Sequence, residues 1–423
     1  MSAKVKRWQP WLFWFLGAVF FFFEYVVRVD PSGMLQELSQ FFGLKHNLAK
    51  GTLSSYFYLP YVIMQIPVGV LVDRIGPRMS LILACFVAIS GGAFFALSDH
   101  VGVAMIGRFL VGLGTAFAYV TGLKLAAMWL PKKWFATATG MVTAFGMIAA
   151  AISYNMTNGS GSIVSSMSAG VYLKTMLMPV WVGLAVLVLI MLFVRNRHTA
   201  QSADNESSAV SFSQLWGFLK SIVTHRQVWL IGIIGCFLYV PSSVFLDLYA
   251  KQYLTQVEGL SSAQVGHAIL LMFLGWIVSS IVVGNVSDRL RQRKLPLVLA
   301  SIFSCFFASV LVFVSGLSAV EIYCVMFLFG ASCGPHPLCF TMAKENFPVR
   351  VAGTAISFAN CLVMMGGFLF QPLVGSLIQW HHKASVVTAH VSYTAQDYHF
   401  ALSFMPLVLL LSFCMTFFLK ETG

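Results

Sequence analysis

Apolar residues in this chain come in blocks of about twenty, separated by short polar segments. The two-residue alternation of a half-buried strand is absent, and so is the narrow apolar stripe of a helix lying on a soluble core. At 1.5 Å per residue, about 20 helical residues cross the roughly 30 Å hydrocarbon core of a bilayer. Twelve blocks reach that length: 11–29, 53–72, 79–97, 101–128, 136–155, 172–194, 228–248, 266–286, 295–315, 320–342, 353–378 and 400–419. Each is expected to be a membrane-spanning helix. After the sixth block the apolar character lapses from Arg195 to Arg226. There Gln201-Ser-Ala-Asp-Asn-Glu-Ser-Ser208 reads as a polar linker, followed by a short amphipathic piece around 212–222. The expected organisation is an all-α membrane protein of two pseudo-symmetric six-helix bundles, 1–197 and 227–423, joined by a cytoplasmic linker, 198–226.

Two phrases recur. Gly69-Val-Leu-Val-Asp73-Arg74-Ile-Gly76-Pro-Arg78 lies between spans 2 and 3, and Gly284-Asn-Val-Ser-Asp288-Arg289 lies 215 residues later (288 − 73), between spans 8 and 9. Trp129-Leu-Pro131-Lys-Lys follows span 4, and Asn346-Phe-Pro348-Val-Arg350 follows span 10 at an offset of 217 (348 − 131). Two separate motifs at nearly one spacing point to an internal duplication. Duplicated multi-span chains are mostly transporters.

Composition removes the soluble classes. Only 9% of the residues are charged and mean hydropathy is +0.83, against about 25% charged in an ordinary globular domain. The net charge of +12 does not imply nucleic acid, because the basic residues fall between spans. Five of the 26 Lys and Arg (Lys45, Lys50, Lys174, Lys251, Lys383) fall on outer segments. Three more (Arg28, Arg108, Lys124) fall inside spans, which leaves 18 on the inner side when both termini are cytoplasmic. Positive charge on inner segments fixes this orientation. Lys4, Lys6 and Arg7 before the first block resemble a signal peptide, but no small-residue cleavage site follows, so the block is read as a retained helix. The eight cysteines lie inside apolar blocks without a Cys-x-x-Cys pair and read as packing residues. His381, His382, His390 and His399 crowd the segment after span 11; no metal-ligand spacing recurs, and a solvated loop is expected. No metal and no cofactor is expected.

The inter-span phrase Gly69-x-x-x-Asp73-Arg74-x-Gly76-x-Arg78 resembles the signature of the major facilitator superfamily. Arg108-Phe-Leu-Val-Gly112-Leu-Gly114 in span 4 is similar to its second signature, Arg-x-x-x-Gly-x-Gly. The resemblance covers essentially the whole chain. It implies two six-helix bundles around a cavity lined mainly by spans 1, 4, 7 and 10, working by rocker-switch alternating access. It also implies that Asp73 faces the N-terminus of span 11 near Ala352 and Gly353, with Arg74 and Arg78 adding charge contacts. Asp288 and Arg289 would be a fainter second copy of this conformational gate, lacking the glycine after the arginine. The phrases Tyr25-Val-Val-Arg28-Val-Asp30-Pro31-Ser32 and Gly122-Leu-Lys124-Leu-Ala-Ala-Met-Trp129-Leu-Pro131 resemble bacterial inner-membrane nutrient importers, including the phagosomal nutrient transporters of intracellular bacteria.

Ionisable residues within spans are costly and therefore need a reason. Glu24 and Arg28 are four apart, on one face of span 1, and Arg108 in span 4 lies at similar depth. A Glu24–Arg28 or Glu24–Arg108 pair is expected. Arg28 or Arg108 would hold a substrate carboxylate and Glu24 the coupling proton; a purely structural salt bridge is the alternative. Tyr25, beside them, would contact the substrate as well. Lys124, near the inner end of span 4, is explained by snorkelling to water, and Asp30 by a solvated outer end or gate. In the second half, Tyr239, Asp247, His336 (within Gly334-Pro335-His336-Pro337) and Asn360 are candidates. Tyr239, His336 and Asn360 would contact cargo, and Asp247 would take part in proton coupling. Gln65, Asn155 and Gln371 suit either cargo or interhelical hydrogen bonds.

These residues read as a proton symporter importing a small polar nutrient with a carboxylate, such as an amino acid or organic acid. The rivals are a proton-antiport exporter of drugs or siderophore-like metabolites and a facilitated uniporter. Helix 5, Gly140-Met-Val-Thr-Ala-Phe-Gly146, lacks the proline that follows glycine in many antiporters. No phosphate loop or nucleophile motif suggests an enzyme. The chain is expected to act as a monomer in the bacterial inner membrane.

Overall fold

A computed structural model describes residues 8–29, 46–158, 177–195, 212–385 and 394–422. Among them, all regular structure is helical. In chain order the helices are α1 (Gln9–Val29), α2 (His46–Ile75), α3 (Pro77–Ala96), α4 (Val101–Thr115), α5 (Ala118–Trp129), α6 (Phe135–Asn158), α7 (Leu177–Phe193) and α8 (Phe212–Thr224). They continue with α9 (Arg226–Val240), α10 (Ala250–Gln256), α11 (Ser262–Leu290), α12 (Lys294–Phe313), α13 (Ala319–Cys333), α14 (Leu338–Glu345), α15 (Ala352–Ser385), α16 (Ala395–Leu402) and α17 (Phe404–Thr416). Each of the twelve expected spans falls on helix. Among the described residues ten helical segments are long and apolar enough to cross a membrane, and Leu177–Phe193 is a shorter apolar helix. Large side chains such as Phe86, Leu192 and Phe368 stand exposed; this suits lipid rather than water.

The chain divides into two compact units, the first comprising 1–224 with 346–358, the second 225–345 with 359–423. Within each, one close packing contact recurs. A Cβ on Gly112 would lie 2.1 Å from the Phe57 carbonyl oxygen, and one on Gly330 would lie 2.0 Å from that of Met272. The offsets, 218 (330 − 112) and 215 (272 − 57), match those of the repeated phrases. Only glycine allows the backbones this approach.

Among the described residues spans 4, 7, 10 and 12 are interrupted helices, the last at Ser403 between α16 and α17. Span 4 breaks between Thr115 and Ala118 and span 10 between Cys333 and Leu338, positions 218 apart (333 − 115). In span 10 Pro335 and Pro337 cannot donate backbone hydrogen bonds, and the turn closes through shorter bonds such as His336 N–H to the Cys333 carbonyl. Span 7 passes through a π-helical stretch, Pro241–Tyr249, beginning at a proline.

The segment after span 11 departs from the solvated loop expected. Helix α15 runs on to Ser385, and α16 starts at a capping box in which Thr394 and Asp397 bond each other's backbone N–H groups. Buried Asp397 also takes His381 Nδ1 at 2.6 Å and His382 Nδ1 at 3.0 Å, while His399 Nδ1 meets the Val312 carbonyl at 2.6 Å. A carboxylate draws the histidines inward; composition alone did not reveal that acid as their partner. Asp30, His390 and the 201–208 linker lie outside the described residues.

Candidate functional site

Two polar clusters lie inside the first unit. The first is on α1. Glu24 is fully buried, and its Oε1 stands 3.6 Å from Arg28 Nη1, one helical turn away. Neither carboxylate oxygen has a hydrogen-bond partner among the described residues. The Arg28 guanidinium lies 4.9 Å over the ring of Tyr25, which packs edge-on to Phe21. Thus the Glu24–Arg28 pairing forms, not a Glu24–Arg108 bond.

Arg108 is differently engaged. Its Nη1 donates to the Val27 carbonyl at 2.9 Å and its Nη2 to that of Arg28 at 3.5 Å. Those carbonyls lie in the last described turn of α1. Phe57 and Phe95 flank the guanidinium at 4.8 and 5.8 Å. Arg108 therefore fastens α4 to the end of α1, beside Arg28.

The second cluster surrounds Asp73, at the end of α2. Gly76 turns the chain with φ 84°, and Pro77 opens α3 with its φ already helical. Asp73 Oδ1 accepts the Gly353 N–H at 3.0 Å, and Oδ2 accepts the Thr354 N–H and hydroxyl, both at 2.7 Å. These groups form the first turn of α15, where unsatisfied N–H groups and the helix dipole favour an anion. Gly69 and Gly353 permit this, since a Cβ at Gly353 would lie 2.6 Å from Asp73 Oδ1. Ser357 donates its hydroxyl to the Gln65 carbonyl in the same contact.

Arg74, expected to add a charge contact here, is exposed, with no hydrogen bond or ion pair among the described residues, and Arg78 donates to the Met191 carbonyl at the end of α7 at 2.9 Å. Lys124 supplies a charge contact to Asp73 that the sequence did not indicate. Its Nζ donates to Asp73 Oδ1 at 2.6 Å and to the Val349 and Arg350 carbonyls at 2.6 and 3.1 Å, with the side chain 5% exposed. It does not snorkel. The lysine sits a helical turn from its membrane edge, so sequence distance alone could not tell water from a carboxylate as its partner.

In the second unit, His336 stacks on Tyr239 at 5.2 Å between ring centroids and meets Trp276 edge-on at 5.4 Å. His336 Nδ1 and Trp276 Nε1 are buried without hydrogen-bond partners among the described residues. Trp276, on α11, escaped the sequence reading because a tryptophan within an apolar block reads as packing. Asn360 is buried and Asp247 is exposed on the π-helical stretch. Gln371 Nε2 donates to the Ser243 carbonyl at 2.5 Å, an interhelical bond of the kind foreseen. The second copy of the motif turns inward: Asp288 pairs with Arg293 at 3.0 Å, which also reaches Glu345 at 3.1 Å, and Arg289 is exposed.

This geometry belongs to a membrane transporter. The Major Facilitator Superfamily profile matches residues 13–371, and the chain belongs to that family. It is 24% identical over 362 residues to the probable galactarate/D-glucarate transporter GudP of Bacillus subtilis (strain 168), covering 78% of each. It is 23% identical over 385 residues to the D-galactonate transporter of Escherichia coli O6:H1, covering 84% of this chain and 86% of that one. A probable sulfoacetate transporter, SauU, from Cupriavidus necator is 22% identical over 286 residues, 64% of each. In fold, the chain is similar to the superfamily transporter FucP in its outward conformation, with TM-score 0.72 at 18% identity, covering 97% of this chain and 99% of that one.

Proposed function

We propose that this chain imports a small organic acid together with protons, by alternating access. The observation that carries the reading is the Glu24–Arg28 pair: a fully buried acid without a hydrogen bond among the described residues, approached at 3.6 Å by an arginine stacked on Tyr25. A loosely held pair suits exchange of partners. A substrate carboxylate takes Arg28 bidentately, and Glu24, deprived of its counter-ion, takes a proton. Carboxylate and proton then cross together, which gives symport. Arg108 holds the end of α1 and so sets the position of Arg28. The relatives named for galactarate, glucarate, galactonate and sulfoacetate support an acid as cargo. They favour a hydroxylated or sulfonated acid over an amino acid.

The gate at Asp73 gives the alternation a physical element. Four donors converge on one carboxylate, and the three supplied by Gly353 and Thr354 must part from it whenever the helix α15 terminus withdraws. Tyr239 and His336 are assigned to the cargo's other end, and Asp247 to the proton's outer path. In this reading the protein is a monomer of the bacterial inner membrane with both termini cytoplasmic.

The test is uptake by proteoliposomes holding the purified chain, with an imposed inward proton gradient and labelled hexarates, hexonates, sulfoacetate and amino acids. Accumulation of an acid that collapses with a protonophore is expected. Accumulation that survives the protonophore would overturn symport, and gradient-driven efflux would overturn import.

A further inference from the structure

Lys124 is a buried cation at the inner end of α5, with all three ammonium donors engaged: Asp73 Oδ1, the Val349 carbonyl and the Arg350 carbonyl. The two carbonyls belong to the 3₁₀ turn Val349–Val351, which leads directly into α15. Just beyond it, in the first turn of α15, Asp73 accepts the N–H groups of Gly353 and Thr354. The turn is thus held by its carbonyls through a cation, the helix start that follows it by its amides through an anion, and these two charges touch at 2.6 Å. Each charge meets the backbone groups of opposite polarity. The linker-side helix α8 adds a third hold, with the Arg350 guanidinium 4.8 Å over the Phe218 ring.

We propose that Lys124 is a positioning residue of the transport cycle, gripping the carbonyls of the 349–351 turn while it orients Asp73 against the amides of the helix start that follows. The inference rests on the gate reading of Asp73 and deepens it. When the turn withdraws, Lys124 and Asp73 both remain on the 1–224 part of the first unit, so each keeps the other as counter-ion. The turn's release therefore exposes a neutral pair rather than an orphaned carboxylate. Lys124 accordingly sets how firmly the turn is held and how readily it lets go.

The test is hydrogen exchange of the 349–358 peptide in the full chain reconstituted in lipid nanodiscs, comparing wild type with Lys124→Met, Asp73→Asn and the double variant. Lys124→Met is expected to accelerate exchange at Gly353 and Thr354 by about tenfold or more, although neither amide touches the lysine. The double variant should fall short of the summed logarithmic effects, because the lysine acts partly through the carboxylate. In uptake, Lys124→Met should lower the maximal rate and leave KM in place. Lys124→Gln, which keeps an amide donor without charge, should lie between Met and wild type, and it serves if Lys124→Met does not fold. Wild-type exchange in the Lys124 variants, or full additivity, would overturn the proposal while an effect of Asp73→Asn leaves the gate standing. If Asp73→Asn also exchanges like wild type, the gate reading fails as well.

Discussion

Gly69→Ala isolates the gate from ordinary helix stability because the two predict opposite signs. Within a helix, alanine is favoured over glycine by about 0.5–1 kcal/mol. At Gly69 the new Cβ would stand 2.6 Å from Ser357 Cβ, 2.7 Å from Thr354 Cα and 2.9 Å from the Gly353 carbonyl oxygen. Carbon atoms rest at about 3.5–4.0 Å, so the start of α15 must retreat by about 1 Å. None of the three atoms is the end of a flexible side chain, so no rotamer relieves the overlap. The Asp73 bonds to Gly353 and Thr354, now 2.7–3.0 Å, would then exceed hydrogen-bonding distance. Hydrogen bonds to a charged group contribute about 1.5–3 kcal/mol each. Allowing for water replacing part of this, the closed contact should weaken by about 2–4 kcal/mol, or about 30- to 900-fold in its equilibrium. Trypsin cleavage after Arg350, which requires local opening of the turn, should accelerate correspondingly. Uptake should slow with little change in affinity. Gly266→Ala in α11 is the control, since its Cβ meets nothing within 4 Å; it should leave both readouts unchanged. Wild-type cleavage and uptake in Gly69→Ala would refute the steric reasoning and with it the gate.

Glu24→Gln should abolish proton-driven accumulation and spare counterflow exchange; unchanged accumulation in proteoliposomes would remove Glu24 from coupling. Arg28→Ala should weaken cargo affinity by at least about tenfold, the scale of one charged hydrogen bond, and a wild-type KM for uptake would move the carboxylate site elsewhere. Asp397→Asn removes the charge and replaces one of the two oxygens that hold His381, His382 and the Thr394 hydroxyl with an amide donor, and should lower unfolding stability by about 2–4 kcal/mol; an unaltered thermal midpoint would contradict it. Glu258, in the turn after α10, is held above the usual carboxylate range by burial, with the Tyr253 hydroxyl and His399 pulling the other way. The folded protein thus keeps this proton to higher pH than the unfolded chain, and stability falls as pH rises from the ordinary carboxylate value through the raised one. Glu258→Gln should therefore melt higher than wild type at pH 7–8 and together with it near pH 4, read by intrinsic fluorescence; coincident midpoints at neutral pH would sink this.

The helical architecture was legible because lipid imposes a length on every span, and length is countable. Asp73 was legible for a related reason: a Gly-x-x-x-Asp turn between two spans leaves few places for a carboxylate, and its resemblance to a known signature named the helix terminus opposite. What escaped were partners set by side-chain reach. Lys124 looked like a cation near water because position along a helix gives depth but not neighbours. Arg74 and Arg78 looked like gate charges because they share the phrase with Asp73, yet one is exposed and the other ends on an α7 carbonyl. His381 and His382 looked solvated because their acid, Asp397, lies sixteen and fifteen residues on, across the 386–393 stretch. In each case the missing knowledge was tertiary, a contact between elements that no local pattern encodes.

The two copies of the inter-span phrase show how duplication has been put to unequal use. Arg291 occupies the place of Gly76 at the shared offset of 215 (291 − 76), and both have positive φ, but Arg291 is left-handed helical (φ 52°, ψ 38°) where Gly76 is extended in ψ (φ 84°, ψ 158°). A non-glycine residue in the left-handed region costs about 1–2 kcal/mol, so the second copy turns by a different backbone once its glycine is gone. Arg293 likewise stands where Arg78 does (293 − 78 = 215). In the second copy, however, Asp288 is neutralised within its own unit by Arg293, which Glu345 and the Ser287 hydroxyl also hold. The nearby Glu421 carboxylate meanwhile accepts the Arg293 and Lys294 N–H groups and caps α12. Asp73 is paired instead with Lys124, whose remaining donors reach the Val349 and Arg350 carbonyls, while Asp73 itself takes the Gly353 and Thr354 amides. On the proposed reading of the gate, the first copy is thus the one whose acid is committed to a helix terminus, and the lysine on α5 is the residue that ties the acid to the turn before it.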